Sequence, residues 1–171
     1  MSVVEFINHK IFQLKMSLPG KLQVKLAGGS PVVIRGRTLD PSLQLLANLS
    51  VGQPPIRTLP VDVARTKSAA GYDALSGPTR KNVMVREVQI SGQGGPLHCR
   101  IYTPNKPIEK SPTILYFHPG GWVLGDLNTA HSYCTEICSR VGATVVSVDY
   151  RLAPENKFPA AVEDAITAYE W

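Results

Sequence analysis

Two apolar pentapeptides, Thr113-Ile114-Leu115-Tyr116-Phe117 and Thr144-Val145-Val146-Ser147-Val148, constrain the fold of this chain more than any other feature. Their apolar residues follow one another instead of alternating with polar ones, the pattern of strands covered on both faces in a parallel sheet. Parallel neighbours need a long crossover between them. The intervening segment supplies one, because Tyr133, Cys134, Ile137, Cys138 and Val141 recur at helical spacing. The expectation is a strand–helix–strand unit with a right-handed crossover. Cys134 and Cys138 then pack against the sheet as small hydrophobes and not as metal ligands. A second helix is expected to open with Pro159 at its first position, where a missing N–H costs nothing.

Upstream, residues 83–90 are rich in β-branched side chains, and Leu97, Cys99 and Ile101 alternate with His98 and Arg100. The Gly- and Pro-bearing stretch 91–96 can turn the chain back, which predicts an antiparallel hairpin. Residues 1–80 read differently, as helix and loop. Val3, Ile7, Ile11 and Leu14 mark one face of an opening helix, read as a docking face and not a membrane-surface one. Residues 28–31 form a Gly/Ser/Pro break. Residues 40–49 predict a short helix with Asp40 as N-cap and Pro41 in the first turn, and 64–75 a further helix weakened by Gly71. The chain therefore divides into an N-terminal helical segment, 1–80, and an α/β part, 81–171.

Composition narrows the function classes. The 171 residues are 43% hydrophobic and 18% charged, which is globular and not disordered. Three cysteines, without metal-type spacing to histidine, give no disulfide framework and no metal site, so a reducing, cytoplasmic setting is expected. No run reaches the length of a membrane span or a signal core. The net charge of +5 is concentrated before residue 81, where ten Lys and Arg face four acids. Those cations are scattered and lack aromatic interleaving, so they read as a solvated face and not a nucleic-acid surface.

Chemistry concentrates in the loop after the first apolar strand. Loops at the carboxyl ends of parallel strands hold the ligand sites of open α/β sheets, and adjacent glycines bring backbone N–H groups close to a developing negative charge. Gly120 and Gly121 are the candidate donors for a tetrahedral oxyanion. A simple Gly-rich turn is the alternative, and it weakens once a second motif, Asp149-Tyr150-Arg151-Leu152-Ala153-Pro154-Glu155, follows the next strand.

The set His118-Pro119-Gly120-Gly121-Trp122, Gly125-Asp126, residues 149–155 beginning thirty-one positions after His118, Phe158-Pro159 and Asp164 resembles, in order, the hormone-sensitive-lipase family of α/β-hydrolases. Leu39-Asp40-Pro41, Leu45-Leu46, Leu59-Pro60 and Ala64-Arg65 resemble that family's cap-forming segment, so the likeness runs over residues 39–171. It implies the α/β-hydrolase fold, with the N-terminal part of a mostly parallel sheet, flanking helices and a cap. It also implies a serine-type carboxylic-ester hydrolase acting on small esters, with short acyl chains and no cofactor. Pro119 stands where the family has glycine. The donors it uses correspond to Gly120 and Gly121, so Pro119 removes nothing essential and restricts His118 to extended backbone. The resemblance makes His118 a brace for the loop, because the triad histidine of such enzymes comes late in the chain. Trp122 lines the acyl side of the pocket or packs in the core. Asp149 and Arg151 become scaffold, with an Arg151–Asp164 or Arg151–Glu155 ion pair.

No Gly-x-Ser-x-Gly occurs in the sequence. By the resemblance, the nucleophile elbow, acid and histidine are expected after Trp171. The chain alone would then carry the oxyanion donors without the triad, lack activity and be marginally stable, with the Thr113–Phe117 strand at an open edge. A non-catalytic hydrolase-fold binder of a ligand or partner is the alternative, and the sequence leaves oligomeric state open.

Overall fold

The computed structural model describes residues 3–106 and 109–171, and in the first helix side chains only from Ile7 onward, Asn8 excepted. Val3, part of the expected apolar face, has its side chain outside the described residues. Contacts divide the chain into two compact units, Met1–Leu59 and Pro60–Trp171.

The first unit holds α1 (Val3–Met16), α2 (Gly20–Leu26), a small hairpin of β1 (Val33–Ile34) and β2 (Arg37–Thr38), and α3 (Pro41–Leu49). Asp40 caps α3 as expected, its Oδ1 accepting from the Ser42 and Leu43 amides at 2.9 and 3.3 Å. The β1/β2 hairpin lies in a stretch the sequence marks only as loop. Two buried glutamines organise the unit. Gln44 accepts from the Val32 amide at 3.0 Å and donates to the Ser30 carbonyl at 2.8 Å. Gln23 donates to the Met16 carbonyl at 2.8 Å while its Oε1 accepts from the Ser42 hydroxyl at 3.0 Å. Leu45 is the large apolar side chain fully enclosed here. Ile7, Ile11 and Leu14 of α1 are exposed.

The second unit begins with α4 (Val61–Leu75), which starts three residues before the sequence signal because the Pro60 carbonyl takes the first helical bond, from Ala64, at 2.8 Å. A four-stranded sheet follows, ordered β3 (Val83–Gly92), β4 (Gly95–Pro104), β6 (Thr144–Val148), β5 (Thr113–Phe117). β3 and β4 form the expected hairpin, but Gly92 pairs with Gly95, so the turn is two residues, Gln93-Gly94, and not the six of 91–96. β4 pairs antiparallel with β6, and β5 pairs parallel with β6, Ile114 opposite Val145. The crossover between them is α5 (His131–Val141), ended by Gly142 at φ +72°, a left-handed cap suited to glycine. α6 (Ala160–Glu170) follows β6. Pro159 is its N-cap and not its first residue, so the helix starts one position later than expected, and the Pro159 carbonyl accepts from Val162 and Glu163.

Side-chain alternation along β4 and β6 builds a core on each face. Leu97, Cys99, Ile101, Val146 and Val148 join Ala168 of α6 on one face, and Tyr102 and Val145 join Cys134 and Cys138 of α5 on the other. Both helix cysteines are thus core residues. The two apolar pentapeptides differ in one respect from their common sequence pattern. Four of the five β6 residues are buried, whereas every β5 residue is half-buried or exposed. β6 sits between two strands, while among the described residues β5 pairs only with β6.

Candidate active site

The loop leaving β5 reverses sharply. Gly120, Gly121 and Trp122 take φ values of +143°, +61° and +62° in succession. A Cβ on Gly120 would drive into the Leu124 carbonyl, so this position admits no side chain without moving the backbone. The Gly120 carbonyl accepts from Val123 and Leu124 at 3.3 and 3.0 Å. Among the described residues, neither the Gly120 nor the Gly121 amide donates to a protein acceptor. Two adjacent N–H groups are thus unpaired among the described residues.

His118 is enclosed beneath this loop. Its ring stacks on Tyr150 at a centroid distance of 4.3 Å and an interplanar angle of 13°. The Tyr150 hydroxyl donates to the His118 carbonyl at 2.7 Å, and His118 Nδ1 lies 3.2 Å from the Pro119 carbonyl oxygen, which can only accept. Gly125 makes room for the imidazole, since a Cβ there would meet the ring. The two sequence motifs therefore interlock, with Tyr150 of the second holding the backbone of the first. The ring is occupied with packing and is kept from solvent.

Trp122 is exposed, and its carbonyl accepts from the Ala153 amide at 2.8 Å. Of the two roles open from the sequence, core packing is not what the fold gives it. With Phe117, Tyr150, Ile166 and Tyr169 it borders an open, largely apolar groove of about 640 Å³ that also touches Gly120 and Gly121. A second cavity, about 670 Å³, lies against Pro119 and is lined by Tyr72, Leu75, Tyr116 and Tyr133. The loop stands between two largely apolar spaces.

Arg151 folds back onto α6. Its amide donates to Asp164 Oδ2 at 2.8 Å, its Nε to both carboxylate oxygens at 3.0 Å, and its Nη2 to Glu163 at 3.0 Å. The hydrogen bond to the buried Asp164 carboxylate raises the Arg151 pKa above its ordinary value. The alternative pairing with Glu155 is not formed, because Glu155 is taken by Arg65 at 2.7 Å. Asp149 hydrogen-bonds through its backbone, donating to the His98 carbonyl at 2.9 Å, and burial of its carboxyl pushes its pKa up. Ser147 is buried within β6, and Ser132 and Ser139 lie on α5.

Arg65, noted in the sequence only as part of a cap-like stretch, is the residue of this region whose contacts sequence reasoning missed. Its partners lie 58 to 90 positions away, beyond any local pattern.

Residues 114–171 match a family model described as the alpha/beta hydrolase fold. The chain is 40% identical over 152 residues to the carboxylic ester hydrolase LipN of Mycobacterium tuberculosis, covering 85% of this chain and 39% of that protein. It is 31% identical over 134 residues to an ethyl acetate hydrolase of Pseudomonas putida, covering 75% of this chain and 42% of that protein. Among solved structures, a hyperthermophilic esterase from Pyrobaculum calidifontis superposes with a TM-score of 0.69 at 39% identity, covering 78% of this chain and 43% of that one. The chain thus spans less than half the length of these relatives. The family match, the sheet with helices on both faces and the likeness to solved esterases place this chain in the α/β-hydrolase fold family, among relatives of the hormone-sensitive-lipase type.

Proposed function

We propose that this chain provides the oxyanion-binding loop of a serine-type carboxylic-ester hydrolase that acts on small esters with short acyl groups. The observation that carries the reading is the pair of uncommitted amides at Gly120 and Gly121, held at left-handed φ beside an apolar groove. Donors fixed before the reaction stabilise the charge that develops on a carbonyl oxygen, and removing one lowers turnover by about 10²–10³-fold. Short acyl groups are supported by the relative named for ethyl acetate. Trp122 borders the acyl space, His118, Asp149 and Arg151 hold the loop and its neighbour, and residues 1–80 contribute to a cap. The chemistry asks nothing of a cofactor.

An attacking serine is not placed by these residues, since none of the serines named above sits on an elbow. The reaction therefore needs a Ser, an acid and a histidine in addition to this loop. Hydrolysis of p-nitrophenyl acetate and p-nitrophenyl decanoate, measured on the 171-residue chain and on any longer product of the same gene, tests this. Turnover is expected only where an elbow serine is present, faster on the acetate, and lowered by Gly120→Ala, whose Cβ would meet the Leu124 carbonyl and displace the donors. Ester binding without turnover in a product lacking that serine would instead support a non-catalytic binder. Turnover by the 171-residue chain itself would overturn the assignment.

A further inference from the structure

The oxyanion loop does not hold itself in place. Gly121 and Trp122, both at positive φ, form a tight turn closed by Val123 and Leu124 donating to the Gly120 carbonyl, and among the described residues no other backbone–backbone bond lies within the loop. The carbonyls of Trp122 and Val123 are held from outside. Trp122 O accepts from Ala153 in the loop after β6, and Val123 O accepts from Arg65 Nε at 2.9 Å. The same guanidinium donates through Nη2 to the Ala153 carbonyl at 3.0 Å and forms a two-pronged pair with Glu155 at 2.9 and 2.7 Å. One side chain from the second turn of α4 thus bonds the loop after β5 and two residues of the loop after β6.

This pattern needs arginine. Three nitrogens of one planar fork serve four acceptors in different directions, which an ammonium on a flexible stem cannot reproduce. The pair with Glu155 is partly exposed, the two side chains retaining 33% and 56% of their accessible surface, so its direct worth to global stability is small. What it supplies is direction, because Glu155 orients the guanidinium toward the two backbone carbonyls.

We propose that Arg65 is a positioning residue for the oxyanion loop, fixing the Gly121–Val123 backbone against the loop that follows β6 and transmitting any displacement of α4 to the donors. The inference rests on the reading of Gly120 and Gly121 as oxyanion donors, and it adds a residue that touches neither substrate nor reacting atoms.

The test uses Arg65→Ala, Arg65→Lys and Glu155→Gln in the full-length protein, with amide hydrogen exchange and steady-state kinetics read together. In both Arg65 variants the Leu124 and Ala153 amides are expected to exchange about 10-fold faster while Ile101 and Val146 in the sheet keep their rates. In Arg65→Lys the kcat for p-nitrophenyl acetate is expected to fall about 10-fold with KM within about twofold, the signature of misplaced donors and not of lost binding. Glu155→Gln keeps the two carbonyl bonds and is expected to show a smaller change in both. Unchanged exchange at Leu124 and Ala153 in Arg65→Ala overturns the proposal, and so does acceleration spread equally through β4 and β6, which would mean general destabilisation. A loosened loop with kcat intact, where Gly120→Ala does lower turnover, also overturns it. If Arg65→Ala loosens the loop locally while Gly120→Ala leaves ester turnover untouched, the clamp stands and the oxyanion reading falls.

Discussion

The two helices that flank the sheet meet it in different ways. α5 seals its face with Cys134 and Cys138 against Tyr102 and Val145, all four inaccessible to solvent. α6 turns small residues, Ala160, Ala161 and Ala168, inward together with the charged Asp164, and leaves Val162, Ile166 and Tyr169 exposed. The first helix is held by volume, the second by an ion pair and thin alanine contacts. The Gly120–Gly121 loop borders a groove on the thinly covered side. A contiguous exposed apolar surface marks a place where something binds. The tighter packing is thus on one face of the sheet and the open groove beside Gly120 and Gly121 on the other.

The sharpest way to break this contrast is to excavate the sealed face. Tyr102→Ala removes a fully buried ring that also hydrogen-bonds His131 at 3.0 Å, and urea unfolding should show a loss of about 3–5 kcal/mol. On the other face, Asp164→Asn removes the charge that pins α6 to Arg151. The same measurement should show about 2 kcal/mol, with faster hydrogen exchange confined to α6.

Burial pushes the Cys99 and Cys134 thiols up to about 11 from an ordinary value of 9.0, one on each face. Both should resist a thiol-reactive disulfide at pH 8 until the protein is unfolded. The sign of the pH dependence follows. With the folded pKa raised, the unfolded chain loses its proton first, so the stabilisation is complete below about pH 9 and disappears as pH rises toward 11. Midpoints of thermal unfolding from pH 8 to 11 would check it. The smallest effect is expected at the exposed surface of α6, where Ile166→Ala should alter stability by no more than about 0.5 kcal/mol. A cost there approaching that of Tyr102→Ala would erase the distinction between the faces.

Much of the second unit was legible because its signals are local. Continuous apolar runs mark β5 and β6, period-2 alternation marks β4, and helical spacing of cysteines marks the buried stripe of α5. The Gly120-Gly121 pair and its place at a strand end were visible for the same reason. Three things were not. Burial of β5 depends on how many strands lie beside it, which a pentapeptide does not encode. The two-residue turn at Gln93-Gly94 is set by ladder register, and Gly94 is further constrained by the Arg151 guanidinium lying over it. The roles of Gln23, Gln44 and Arg65 arise from long polar side chains reaching backbone groups far away in sequence, and such side chains look like ordinary surface residues until the chain is folded.

The stacking of His118 on Tyr150, with the tyrosine hydroxyl on the histidine carbonyl, bears on how this loop could be moved to another scaffold. A graft of the six residues from Phe117 to Trp122 would leave behind the ring that supports the turn and the Ala153 amide that donates to the Trp122 carbonyl. The transferable module is the β5 loop together with the end of β6 through Ala153, two strand tips inherited as one piece.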